Sequence, residues 1–397
     1  MIQQLISFSF LKKALFSPIH FIWFSCFFLI QAISVDAQEI PPGFVFTGGY
    51  TFDLAANMQG GLKQGGAFLG NIDLNFEWDT EALHLWKGGH FFVYLLNNHG
   101  NSLSELIGDF QIANNIEAES HTRLYEIWYE QNFDFWSILM GQHDLNSVFA
   151  VSETGFFFIN SSFGIQPDLS SNFPASIFPL ATLGTVIQWR LGENFKALHA
   201  VYDGDPGTES SNPNSLKWSL SKEDGALFIN EFQYEIKKDS LSQSTFKLGF
   251  WKHAQKQRIE DENISDSQGI YTISDHVLYR NPTTGGYLSG FTQLGFSLSS
   301  QNPVESYFGG GLLYKGISAK RVNDGLGFAI AHAVFSDFYK SNFVNDLKSE
   351  TVFELSYQRV TNGRWTFQPN FQYILNPGSE NGIANALMGL IRFNFSW

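Results

Sequence analysis

Apolar and polar residues alternate with a period of two along much of this chain, most cleanly near its end. In RWTFQPNFQYIL, Trp365, Phe367, Pro369, Phe371, Tyr373 and Leu375 share one parity, and Arg364, Thr366, Gln368, Asn370 and Gln372 share the other. Successive side chains of a strand point to opposite faces, so the segment predicts a strand with one greasy, aromatic face and one face suited to line water. ETVFELSYQR repeats the pattern just before it, with Phe353, Leu355 and Tyr357 opposite Glu354, Ser356 and Gln358. The short polar link at 360–363 joins the two as a tight hairpin. ALMGLIRFNFSW sets Leu387, Gly389, Ile391, Phe393, Phe395 and Trp397 against Met388, Leu390, Arg392, Asn394 and Ser396.

Earlier segments carry the same period less cleanly. STFKLGFWKH alternates Phe246, Leu248 and Phe250 with Lys247, Gly249, Trp251 and His253, while in LFINEFQYEI the apolar face is interrupted by Asn230. A soluble β-sandwich also alternates. Strands of about ten residues repeated through one long domain fit a membrane barrel better, because a spanning strand needs roughly 9 to 11 residues. Two connections exceed ordinary turns. The stretch 147–180 holds three prolines and seven phenylalanines with only Glu153 and Asp168 charged; this predicts an ordered loop folded into a lumen. The stretch 203–225 is polar and acidic and reads as an external loop.

Composition sharpens the membrane reading. Aromatics make up 16% of the chain, with 41 Phe and 36 Gly, yet mean hydropathy is only −0.10. Apolar surface delivered on alternate residues gives that combination. Lys12 and Lys13, an apolar run over 19–30 and Val35-Asp36-Ala37 form the order of a secretory signal peptide, so 1–37 is expected to be removed before Gln38. The remaining 360 residues, 38–397, read as one barrel domain of about 16 antiparallel strands, or roughly 22 residues per strand and loop. Loss of Lys12, Lys13 and Asp36 turns 24 basic and 38 acidic residues into 22 and 37, a net charge of −15. Such a chain repels nucleic acid. The only cysteine, Cys26, falls in the leader, so burial and strand ladders rather than disulfides must hold the fold.

Several blocks resemble one family: NNIEAESHTRLYEIWYEQ at 114–131, GQHDLNSVFA at 141–150, FINSSFGIQPDLSSNFPASIFPLATLG at 158–184, HAVYDGDPG at 199–207, FGGGLLYKG at 308–316 and the ending from Phe367. In order, and across nearly the whole chain after the leader, they resemble the carbohydrate-selective porins of the OprB type. The resemblance implies a 16-stranded barrel, integral in the outer membrane of a Gram-negative bacterium and surrounded by its lipid, that passes monosaccharides and similar small solutes. It also implies that the alternating C-terminal strand is read by the outer-membrane assembly machinery, although Trp397 stands where Phe is usual. Trimers are common among porins, which leaves a homotrimer open.

Candidate pore residues follow from parity. In RLYEIWYEQ, Tyr125, Ile127 and Tyr129 suit the lipid face and Glu126, Trp128 and Glu130 the lumen. A tryptophan between carboxylates can stack on the C–H face of a pyranose while the acids accept from its hydroxyls; packing beneath the loop is the competing role. Arg123 reaches the lumen only if a bulge intervenes. In TVIQWR, Ile187 and Trp189 face lipid and Arg190 faces inward, a candidate for a transverse field across a constriction. Asp144, Asn146, Asn160 and Asn172 at and within the long loop suit hydrogen bonding to hydroxyls or loop capping. Enzymatic and metal readings find no support: H-E-x-x-H is absent, GYLSG is not a nucleophile elbow, and DGDPG reads as a turn. No cofactor is expected. The function expected is passive diffusion through a narrowed, weakly binding channel. A barrel enzyme of the lipid-hydrolase type, or a porin of this fold selective for another solute, are the alternatives.

Overall fold

A computed structural model describes residues 42–221, 224–239, 242–254, 258–259, 262–263, 267–342, 347–361 and 363–397; the expected leader at 1–37 lies outside them. The period-two segments become strands. In chain order these are β1 Phe44–Gly61, β2 Gly65–Asp79, β3 Gly89–Gly100, β4 Thr122–Asn132, β5 Trp136–His143, β6 Thr182–Leu191, β7 Phe195–Asp203 and β8 Ala226–Asp239. There follow β9 Ser242–His253, β10 Ser267–Arg280, β11 Tyr287–Ser297, β12 Val304–Lys315, β13 Gly325–Phe335, β14 Ser349–Thr361, β15 Trp365–Leu375 and β16 Ala384–Ser396. Each pairs antiparallel with its sequence neighbour, and β16 returns to β1 to close a 16-stranded barrel. Closure leaves no row of unpaired amides and carbonyls, which hydrocarbon would not tolerate. Arg258–Ile259 and Glu262–Asn263 form a separate two-stranded ladder.

The closing seam accounts for the aromatic ending. Tyr50 pairs with Phe395 and Phe52 with Phe393, and the Phe52 and Phe393 rings stack at 4.8 Å. The Trp397 amide donates to the Gly48 carbonyl at 3.0 Å. Its ring lies over Gly48, where a Cβ would come within 2.4 Å of it. Further aromatic pairs ring the same end of the barrel: Phe44 with Trp78, Phe91 with Tyr129, Trp136 with Trp189, and Trp365 with Phe395. This is the interfacial girdle of a membrane barrel. Links at 133–135 and 192–194 close hairpins at that end, and the long connections 101–121, 144–181 and 204–225 leave from the other.

One strand breaks the expected parity. Between the pairs Tyr94 with Glu126 and Leu95 with Leu124, β4 carries one extra residue, Tyr125. Such a bulge shifts everything before it to the opposite face. Tyr125 is therefore buried inside rather than lipid-facing, beside Glu126, and Arg123 is buried with it. Beyond the bulge the expected alternation returns, with Ile127 exposed outward.

Candidate functional site

The acidic side chains that dominate the charge balance have a structural use. Glu354 on β14 accepts the amides of Ile159 and Asn160 at 2.8 and 2.9 Å. Glu231 on β8 accepts the Ala150 amide at 2.8 Å, and Asp275 on β10 accepts the Thr154 amide at 3.0 Å. Gln368 on β15 donates to the Phe157 carbonyl and Tyr307 on β12 to the Ser162 carbonyl. These buried wall groups fix the 147–180 segment against the inner faces of β8, β10, β12, β14 and β15. A carboxylate accepting two backbone amides forms charge-assisted bonds, each worth about 1.5–3 kcal/mol.

A second connection, 101–121, is fixed the same way, which the alternation did not foretell. Glu350 on β14 accepts the amides of Phe110 and Gln111 at 2.8 and 2.9 Å, and Gln372 donates to the Ala113 carbonyl at 2.8 Å. The two connections also bond to each other, Asn115 amide to Ile159 carbonyl and Ser161 amide to Ile112 carbonyl. The 204–225 segment does more than form an external loop. Its Glu209 pairs with Arg123, and Pro206, Gly207 and Glu209 reach the central cavity.

That cavity, of about 800 Å³, lies between these connections and the wall formed by β16, β1, β2 and β3. The wall contributes Thr51, Asn71, Asp73, Tyr94, Arg392 and Asn394; the connections contribute apolar groups, among them Ile112, Phe156, Ile165 and Phe178. Phe156 is 52% exposed and Ile112 43%. The polar wall is internally bonded. Arg392 grips Asp53 through Nε to Oδ1 at 2.9 Å and Nη2 to Oδ2 at 2.8 Å, and Asn114 bonds to both. Asn71 donates to Asp73 at 2.7 Å, Tyr94 also donates to Asp73, Asn98 donates to Asn71 at 2.7 Å, and Arg123 donates to Asn98 at 2.7 Å. A polar chain thus runs from Glu209 to the cavity wall. Groups held this way present fixed dipoles and lose little freedom when a solute arrives.

Of the candidates named in the sequence, Asn146 lines the cavity, and so does Asp144. It accepts the Asn146 amide at 2.8 Å, and burial pushes its carboxyl up to about 6. Glu126 accepts the Asp144 amide at 3.1 Å and the Trp128 indole N–H at 3.1 Å. Trp128 stacks on Phe92 at 4.9 Å and meets His90 and His143 edge-on. It packs in the wall, outside the cavity. Asn160 caps the turn Ser161–Gly164 by accepting the Ser162 amide, and Asn172 both donates to and accepts from the Val304 backbone. Both are loop anchors. Glu130 accepts from Asn132 near the end of β4. Arg190 donates to the carbonyls of Phe133 and Trp136 at the β4–β5 hairpin, which ties its guanidinium to the barrel rim. Among the described residues no cluster of metal-ligating side chains is found.

Residues 63–397 match the model of the family described as carbohydrate-selective porin, OprB family. The chain belongs to that family. Porin B of Pseudomonas aeruginosa is 23% identical over 408 residues, 89% of this chain and 88% of that protein. Among solved structures, the high-pH structure of Pseudomonas putida OprB aligns with a TM-score of 0.80 at 20% identity, covering 89% of this chain and 94% of that one. A loop-deletion mutant of OmpT from Vibrio cholerae aligns at 0.53 with 8% identity, covering 90% and 100%. These structural likenesses carry the barrel fold. Family membership makes this an integral outer-membrane channel of the carbohydrate-selective class, and the barrel-enzyme alternative falls with it.

Proposed function

We propose that sugars cross this OprB-family porin through the cavity between the 101–121 and 147–180 connections and the β16–β1–β2–β3 wall, with the connections narrowing the lumen. The observation that carries the reading is the pairing of exposed Phe156 and Ile112 with Arg392, Asn394, Asn71, Asp73 and Asp144 around one cavity. A pyranose has the same two-sided chemistry. Its C–H face rests on apolar groups, and its hydroxyls donate to carboxylates and accept from amides and a guanidinium. Because Arg392 is already neutralised by Asp53, its guanidinium offers hydrogen bonds to hydroxyls without standing as a free cation. Weak, exchanging contacts let the solute leave.

Liposome swelling tests this. Glucose is expected to enter faster than a neutral non-sugar of equal size, with the difference lost in a Phe156→Ala, Arg392→Met double variant; equal rates for both solutes in the native protein would overturn it. The same reading carries three further expectations. The leader 1–37 is removed, so that the mature chain starts at Gln38. The strand β16, ending in Trp397, is recognised by the assembly machinery. The family's porin character also leads us to expect a homotrimer, countable by mass determination in detergent.

A further inference from the structure

The barrel wall is lowest at β5, β6 and β7, which span 8, 10 and 9 residues against 18 for β1 and 14 for β10. At about 3.3 Å per residue and a tilt of about 45°, eight residues rise roughly 19 Å, short of the roughly 25 Å apolar band of a membrane barrel. Residues 214–221, in the connection that follows β7, cover that deficit from outside. Gln142 pairs with outward-facing Ile127 on the neighbouring strand, and the Trp218 indole N–H donates to its Oε1 at 2.6 Å. The Leu124 amide, unpaired by β5, donates to the Asn214 carbonyl at 3.1 Å. Residues 214–221 therefore lie down the outer face, and they present Leu216, Trp218 and Leu220 at 61%, 54% and 74% exposure. Leu220 roofs a groove of about 500 Å³ floored by outward-facing Leu183, Thr185 and Val201.

Three large apolar side chains in a connection that is otherwise polar would be costly in water. Against lipid they extend the short wall, and Trp218 sits where interfacial tryptophan is favoured. We infer that residues 214–221 form a lipid-facing flap, and that the groove beneath Leu220 seats an acyl chain of the outer leaflet. The groove is lined mostly by apolar groups, and it opens onto the face that the barrel turns to the membrane, which suits a chain of methylenes.

Nitroxide labels at Leu220→Cys and Leu216→Cys, in a Cys26→Ser background and in phosphatidylethanolamine–phosphatidylglycerol vesicles, read the environment directly. The inference predicts collision with oxygen as high as at a label on outward-facing Leu248→Cys, and shielding from a water-soluble nickel chelate. Access to nickel would place the flap in water and overturn it. Shielding from both reagents would mean a second copy of the chain on this face and would equally overturn the lipid assignment. Occupancy of the groove has its own readout. Native mass spectrometry of protein released from mixed lipid–detergent micelles is expected to show fewer retained phospholipids for Val201→Trp, which fills the groove, than for the native chain; equal retention would remove the acyl-chain site.

Discussion

Asp53 and Arg392 face each other across the seam where the last strand closes on the first, joined by two parallel hydrogen bonds of 2.9 and 2.8 Å. The Asp53 side chain is fully buried and the Arg392 side chain nearly so, so neither charge is stable there without the other. Arg392→Met is expected to cost about 3–5 kcal/mol by stranding a buried carboxylate. Adding Asp53→Leu is expected to restore most of it. Chemical unfolding of the two variants in detergent checks this; equal losses in both would mean that the pair is not coupled.

Trp128 serves the wall through its stack on Phe92 and its bond to Glu126. Trp128→Ala is expected to lose about 2 kcal/mol of stability as a half-buried ring is removed, while the glucose concentration that half-blocks single-channel current stays unchanged. A weakened block would return the ring to the solute path.

Glu354 holds two consecutive loop amides, and Glu354→Gln keeps the size but turns a side-chain amide N–H donor toward one of them. The variant is expected to lose about 1–3 kcal/mol of loop anchoring. Current through the open channel should rise, with larger open-state fluctuations. Unchanged conductance would mean that the connection stays in place without this carboxylate.

Asp168 sets a pH dependence. Its carboxyl fits against Gly295, where a Cβ would come within 2.0 Å, and accepts from Gln166 at 3.2 Å; burial pushes it up to about 7. An unfolded chain releases that proton near pH 4. Between about pH 4 and pH 7 the native state therefore holds the extra proton, so the stability this group supplies is full below that window and is lost as pH rises through it. Asp168→Asn is expected to leave the melting temperature unchanged near pH 4 and to raise it by several degrees near pH 8. A shift of equal size at both would exclude the titration.

Much of the barrel was legible because membrane strands repeat one local rule. The parity of Phe371 against Asn370 and Gln372, or of Phe393 against Arg392, follows from period two and is what the structure holds. Tyr125 escaped it because a bulge is set by pairing with β3, across a connection that no local pattern encodes. The 101–121 connection escaped for a related reason: its anchors, Glu350 and Gln372, lie more than two hundred residues along the chain. Net charge alone does not reveal that Glu231, Asp275, Glu350 and Glu354 hold loop amides. Asn160 and Asn172 had two candidate roles in the sequence, and the structure shows capping and anchoring.

The central claim is that sugar is held, weakly, between Phe156 and the Arg392 wall. Single-channel current through the purified porin in a planar bilayer, titrated with glucose, tests it most directly. A saturable, concentration-dependent block is predicted, with its half-point raised about tenfold, or about 1.4 kcal/mol, in both Phe156→Ala and Arg392→Met. A block that is identical in the native protein and both variants, or a native protein that conducts without any block, would contradict the account.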